Sequence, residues 1–110
     1  MTDRRRSPRI PVDLEVQVRQ SAGEFSARAV NLSNEGMCIH TTASFHQGDQ
    51  IEIAFRLPEG DQELNMLARV MWTLDMKQYE AWGCGVGILF EQVGLDVSES
   101  LSRYIAQCLQ

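Results

Sequence analysis

Hydrophobic and polar residues alternate along most of this chain. Val12, Leu14, Val16 and Val18 alternate with Asp13, Glu15, Gln17 and Arg19, the period of a half-buried strand. A turn at Ser21-Ala22-Gly23-Glu24 leads to a second alternating run on Phe25, Ala27 and Ala29. That run breaks at Asn31-Leu32-Ser33-Asn34-Glu35-Gly36, rich in the turn formers Asn, Ser and Gly. Met37 to Thr41 reads as a short third strand, and Gln47-Gly48-Asp49 turns the chain again. Ile51, Ile53, Phe55 and Leu57 mark a fourth strand, closed by the turn Pro58-Glu59-Gly60-Asp61. In a long fifth strand, alternation puts Leu64, Met66, Ala68, Val70 and Trp72 on one face and Leu67, Arg69 and Met71 on the other. In the last strand Cys84, Val86, Ile88 and Phe90 oppose Gly85, Gly87 and Leu89.

The C-terminal pattern changes period. Val97, Leu101, Tyr104, Ile105 and Cys108 share one helical face, and Asp96 with Glu99 resembles a capping box, so a helix is predicted over about 95–109. Short strands with Gly-marked turns and one closing helix predict an all-β fold, a six-stranded antiparallel barrel whose opening or edge the helix covers. The helix face is available either to that core or to a second copy of the chain. Ahead of the first strand, residues 1–11 read as a flexible arm, because Pro8 and Pro11 forbid a regular helix there. Residues 12–110 form the barrel and its helix.

Length and composition sharpen this reading. The chain has 110 residues, the size of one domain, with 44% hydrophobic and 23% charged content, as in ordinary globular proteins. Its net charge of −5 is unevenly placed. Residues 1–12 hold Arg4, Arg5, Arg6 and Arg9 against Asp3, a net +3, while the rest holds six basic against fourteen acidic residues, a net −8. An acidic body with an Arg arm argues against a nucleic-acid coat and for a local anion site. No apolar stretch is long enough to span a membrane, and no apolar segment follows the basic N-terminus as in a secretion signal. Cys38, Cys84 and Cys108 are odd in number and widely spaced, which predicts buried reduced thiols in a cytoplasmic protein.

No catalytic constellation emerges. His40 and His46 lack metal-ligand spacing, and Glu59, Asp61, Glu52 and Glu63 read as solvated turn and edge charges. Gly83, Gly85 and Gly87 sit within a strand pattern with no helix opening after them, so they are not a dinucleotide loop. Glycine at alternate positions instead keeps one sheet face bare for an approaching backbone, side chain or ligand. The chain reads as a binding module and not an enzyme.

Two features remain: Arg5-Arg6-Ser7-Pro8-Arg9, an Arg-x-x-x-Arg arm just before the first strand, and Asn31-Leu32-Ser33-Asn34-Glu35-Gly36, which fits [Asp/Asn]-x-Ser-x-x-Gly. Together they resemble the PilZ domain family. Gly48-Asp49, Arg69-Val70-Met71-Trp72, Gly85-Val86-Gly87-Ile88-Leu89-Phe90 and the closing helix are similar to the family pattern, so the resemblance spans nearly the whole chain. It implies a split barrel of six strands and, as ligand, cyclic di-GMP, with no other cofactor and no metal.

By that resemblance Arg5 and Arg9 make the main ligand contacts. A guanidinium fork matches the O6 and N7 acceptors of guanine and pairs bidentately with phosphate. Asn31 and Ser33 supply polar contacts, mainly to a guanine, and Gly36 lets the backbone turn tightly and approach the ligand. Asn31 stands where many relatives have Asp, so a charge-assisted contact is lost. Arg4 precedes the motif as in relatives that take a stacked pair of ligands. Arg6 adds a phosphate contact, and Trp72 offers an apolar wall. Such a stand-alone module acts as a receptor that changes conformation on binding and signals to an unidentified downstream protein, in motility, pilus, polysaccharide or biofilm control. The rival readings are a protein of the same fold that assembles with partners and binds no nucleotide, and a small RNA- or DNA-binding barrel, which the acidic body and few aromatics disfavour.

Overall fold

The structure is a computed structural model that describes residues 8–21, 23–58, 60, 62–75 and 84–110. Six antiparallel strands form a closed barrel in the order β1-β2-β3-β6-β5-β4. They are β1 (Ile10–Gln20), β2 (Gly23–Leu32), β3 (Gly36–Thr41), β4 (Gln50–Arg56), β5 (Glu63–Asp75) and β6 (Cys84–Glu91), followed by helix α1 (Leu95–Cys108). The barrel with one closing helix is the architecture the alternation predicts. β1 starts at Ile10, earlier than the arm boundary at residue 11, because Ile10 is buried and pairs with Leu32.

Alternation places the core. Val16 and Val18 of β1, Ile51, Ile53 and Phe55 of β4, and Val86, Ile88 and Phe90 of β6 all point inward. Phe55 and Phe90 stack at 6.4 Å between ring centroids. Toward the opposite end, Phe45 is buried against Phe25 at 5.5 Å.

Helix α1 adds Leu101 and Ile105 to the core. Its flanks meet the β4–β5 turn, where Tyr104 and Arg103 share a cleft with Leu57 and Leu64, and the β2–β3 turn, where Ser102 Oγ lies 3.3 Å from Asn34 Oδ1. The helix therefore covers one barrel opening, with Leu101 and Ile105 of its apolar face inside. Two expectations need correction. Cys108 is exposed, because the last turn of α1 runs past the barrel after Ile105. Asp96 does not cap the helix: the N-cap is Gly94 with no side-chain cap bond, and Asp96 sits in the first turn, where its charge favours the helix dipole. Among the described residues no helix is long and apolar enough to cross a membrane.

The larger departure from alternation comes from bulges. In β2 the register to β3 shifts between Ala29 and Asn31, so Val30 is an extra residue. In β5 the register to β6 shifts between Val70 and Trp72, so Met71 is extra. Each extra residue reverses the facing of the residues after it. Leu32 turns into the core and Asn31 turns out. Trp72, which alternation places with Val70, pairs with Gly87 on the outer face and is half-exposed, and Arg69 shares that face instead of opposing it. The β5 bulge has a local cause. Gly48 N–H donates to Val70 O, and Val70 N–H donates to Asp49 O, both at 2.8 Å. Val70 is thus locked to the turn before β4, and the slip falls on the next residue.

Candidate functional site

The bulges at Val30 and Met71 flank the β3–β6 pair, a further register shift lies in β1 between Pro11 and Leu14, and one row of outward-facing residues comes into line across the sheet. Pro11 of β1 pairs with Asn31 of β2, Asn31 with Cys38 of β3, Cys38 with Gly87 of β6, and Gly87 with Trp72 of β5. Residues distant in sequence thereby share one strip of surface.

Asn31 organises one end of the strip. Its Oδ1 accepts from the Cys38 backbone N–H at 3.0 Å and from Arg9 Nη1 at 3.1 Å. The first bond spans the bulge, where the regular ladder is interrupted. The second ties the residue just ahead of β1 to the end of β2. Arg19, Arg28 and Arg69 each pair with a carboxylate. Among the described residues Arg9 meets none within ion-pair distance; its partner is a neutral amide.

Ser33 and Gly36 shape the turn beside this end. Ser33 Oγ is buried and accepts from the N–H groups of Glu35 at 3.1 Å and Gly36 at 3.2 Å. Ser33 N–H in turn donates to Gly36 O at 2.9 Å, and the Phe90 N–H donates to Glu35 O at 2.8 Å. The hydroxyl thus holds the turn beyond Asn31. Gly36 has a simple steric reason. A Cβ there would collide with the Ile88 carbonyl oxygen and sit 3.3 Å from Leu89 Cα. Its φ is not positive, so close packing against β6 demands glycine here, and not the turn conformation expected from sequence.

At the other end, the Trp72 indole occupies the space where a side chain at position 87 would stand. A Cβ on Gly87 would meet Trp72 Cε2 and Nε1, with Cζ2 at 2.7 Å. The bare sheet face anticipated from the alternating glycines is covered here by a side chain. Between the ends lies Cys38, small and buried. Burial pushes its thiol above the ordinary 9.0, against the opposing pull of the nearby Arg9 charge and a backbone hydrogen bond from Val86.

The site residues anticipated from sequence fall into three groups. Arg9, Asn31 and Trp72 lie along one strip, and Ser33 and Gly36 build the adjoining turn. Arg4, Arg5 and Arg6 lie outside the described residues. Sequence reasoning missed the parts that join them, namely the bulges at Val30 and Met71, the floor residue Cys38 and the work of Arg69. Arg69 Nε donates to Glu91 Oε2 at 2.9 Å and Nη1 to Gly48 O at 2.8 Å, so it clamps the β4 turn to β6. A polar Asn at a position alternation assigns to the core was the available signal for the first bulge.

A family model described as PilZ domain matches residues 3–107. Among solved structures, the inhibitor of motility MotI/DgrA of Bacillus subtilis superposes with a TM-score of 0.86 at 19% identity, covering 98% of this chain and 52% of that one. The chain thus spans about half the length of that relative. The PilZ domain of YcgR from Escherichia coli, solved with c-di-GMP, gives a TM-score of 0.75 at 20% identity, covering 96% of this chain and 91% of that one. The PilZ domain of CeSA from a cellulose-synthesizing bacterium gives 0.66 at 20% identity, covering 94% and 100%. Among the curated proteins none matches.

Proposed function

This chain belongs to the PilZ domain family, and from that membership we propose that it is a receptor for cyclic di-GMP. One observation carries the reading: the Arg9 guanidinium, matched by no carboxylate among the described residues, is held against Asn31 at the end of a strip that finishes in an exposed indole. The ligand has the complementary parts. Its two phosphates answer arginine charge, its guanine edges answer the guanidinium fork and the amide, and its base faces answer the indole. A YcgR PilZ domain of the same fold was solved with this nucleotide, which supports the assignment.

In this reading Arg5 and Arg9 grip the phosphates and a guanine edge. Arg6 adds a phosphate contact, and Arg4 favours a stacked pair of ligands. Asn31 offers its Nδ2 to a guanine acceptor while its Oδ1 keeps Arg9 in place. Ser33 and Gly36 contribute through the turn that aims Asn31. Trp72 walls the far side. The chain performs no reaction. Binding neutralises the arginine cluster, and the arm with its ligand becomes a surface that a downstream protein reads.

Titration calorimetry with cyclic di-GMP, beside GTP and a short RNA, tests this. Heat with cyclic di-GMP alone is expected. No heat with it, or equal heat with RNA, overturns the proposal.

A further inference from the structure

We propose that Gly87 is a positioning residue for the ligand: by leaving its place on β6 empty, it seats the Trp72 indole as a ledge for one planar base. This role rests on the chain being a cyclic di-GMP receptor.

Trp72 does not reach the outer face by alternation. The extra residue Met71 turns it out, directly across from Gly87. Once turned out, an indole opposite any larger residue would be pushed off the sheet. Opposite Gly87 it fills the vacant side-chain position, since a Cβ there would fall on Cε2 and Nε1. The ring then rests against β6, yet Trp72 remains 45% exposed, a large open area for an aromatic residue in a closed barrel. The next residue along the strip, Cys38, is small and only 8% exposed, so the floor stays low between the indole and Asn31. A flat ring resting there meets an aromatic surface on one side and the Asn31–Arg9 pair on the other. Purines fit that arrangement, because they present a π-face for stacking and an acceptor edge for a guanidinium. Glycine at 87 is thus a requirement of the ledge and not only of the barrel.

The test uses the full chain carrying Trp82→Phe, which leaves Trp72 as the single tryptophan of the original two. Cyclic di-GMP affinity by calorimetry and indole emission are compared for this parent, Gly87→Ala, Trp72→Ala, Trp72→Phe and the Gly87→Ala/Trp72→Ala double variant. Ligand is expected to quench the parent's indole emission. Gly87→Ala and Trp72→Ala are each expected to weaken binding roughly tenfold, the scale of one lost base stack. The double variant is expected to bind within about twofold of Trp72→Ala alone, because Gly87 acts through the indole. Trp72→Phe is expected to regain most of the affinity.

Undiminished affinity and quenching in Gly87→Ala overturn the role of Gly87, as does an equal loss from that substitution when Trp72 is already Ala. Should Gly87→Ala fail to fold, Trp72→Ala against Trp72→Phe decides, and parent-like affinity in Trp72→Ala overturns the ledge. A parent that gives no heat with cyclic di-GMP overturns the receptor reading instead, so the two failures are told apart.

Discussion

The guanidinium of Arg9 and the carboxamide of Asn31, 22 positions apart, meet at 3.1 Å. The same oxygen also takes the Cys38 N–H, so the basic residue ahead of β1 is referenced to the backbone of β3 through one side chain. Replacing Arg9 with Ala is expected to weaken cyclic di-GMP binding by roughly 1.5–3 kcal/mol, the scale of a charge-assisted hydrogen bond. Arg5→Ala is expected to do the same. Arg9 is exposed, so its removal is expected to shift the unfolding free energy by less than about 0.5 kcal/mol. Calorimetry and urea melts read the two effects apart, and unchanged affinity in both variants would put the site elsewhere.

Arg4 is expected to govern stoichiometry. Arg4→Leu is expected to lower the ligand-to-protein ratio while the melting temperature stays put. A constant ratio in sedimentation or calorimetry removes that role.

The turn after Asn31 is expected to be fragile for two different reasons. Ser33→Ala leaves the buried Gly36 N–H and the part-buried Glu35 N–H without their acceptor, at a cost of about 1–3 kcal/mol in unfolding free energy. Gly36→Ala drives a methyl into the Ile88 carbonyl and is expected to cost at least as much, about 1–3 kcal/mol or more, since backbone and not a flexible side chain must yield. Parent-like urea midpoints in both would mean the turn is not held in this way.

Glu91 gives the fold a dependence on acid. The Arg69 hydrogen bond, and then that of Gln50 at 3.1 Å, hold its carboxyl below the ordinary 4.5. A lowered folded-state value contributes stability that is present above the unfolded value and lost as pH falls through the folded one. The parent is therefore expected to be more stable than Glu91→Gln at neutral pH, with the gap closing as pH drops below 4.5. Melts of the two proteins across that range check it. A gap that widens on acidification would contradict the sign.

The interior was readable because alternation reports burial directly. Val16 and Val18, Ile51 and Ile53, and Val86 and Ile88 all face the core as their spacing requires. Spacing failed at Trp72, since no periodic pattern marks an inserted residue, and the insertion depends on Val70 being bonded to the distant turn at Gly48 and Asp49. The helix face was readable to Ile105 but not to Cys108, because burial there ends with the barrel rim and not with the amphipathic pattern. Arg9 and Asn31 were legible as a motif. Their meeting was not, because it depends on the pairing of Ile10 with Leu32.

The extra residues at Val30 and Met71 set the side chains proposed to meet the ligand apart from the core of their own strands. Asn31 and Trp72 project from the outside of a finished barrel, so substitutions there leave the core contacts of their strands intact. Deleting Val30 has the opposite character, for it would turn Asn31 toward the core and carry Leu32 out to solvent.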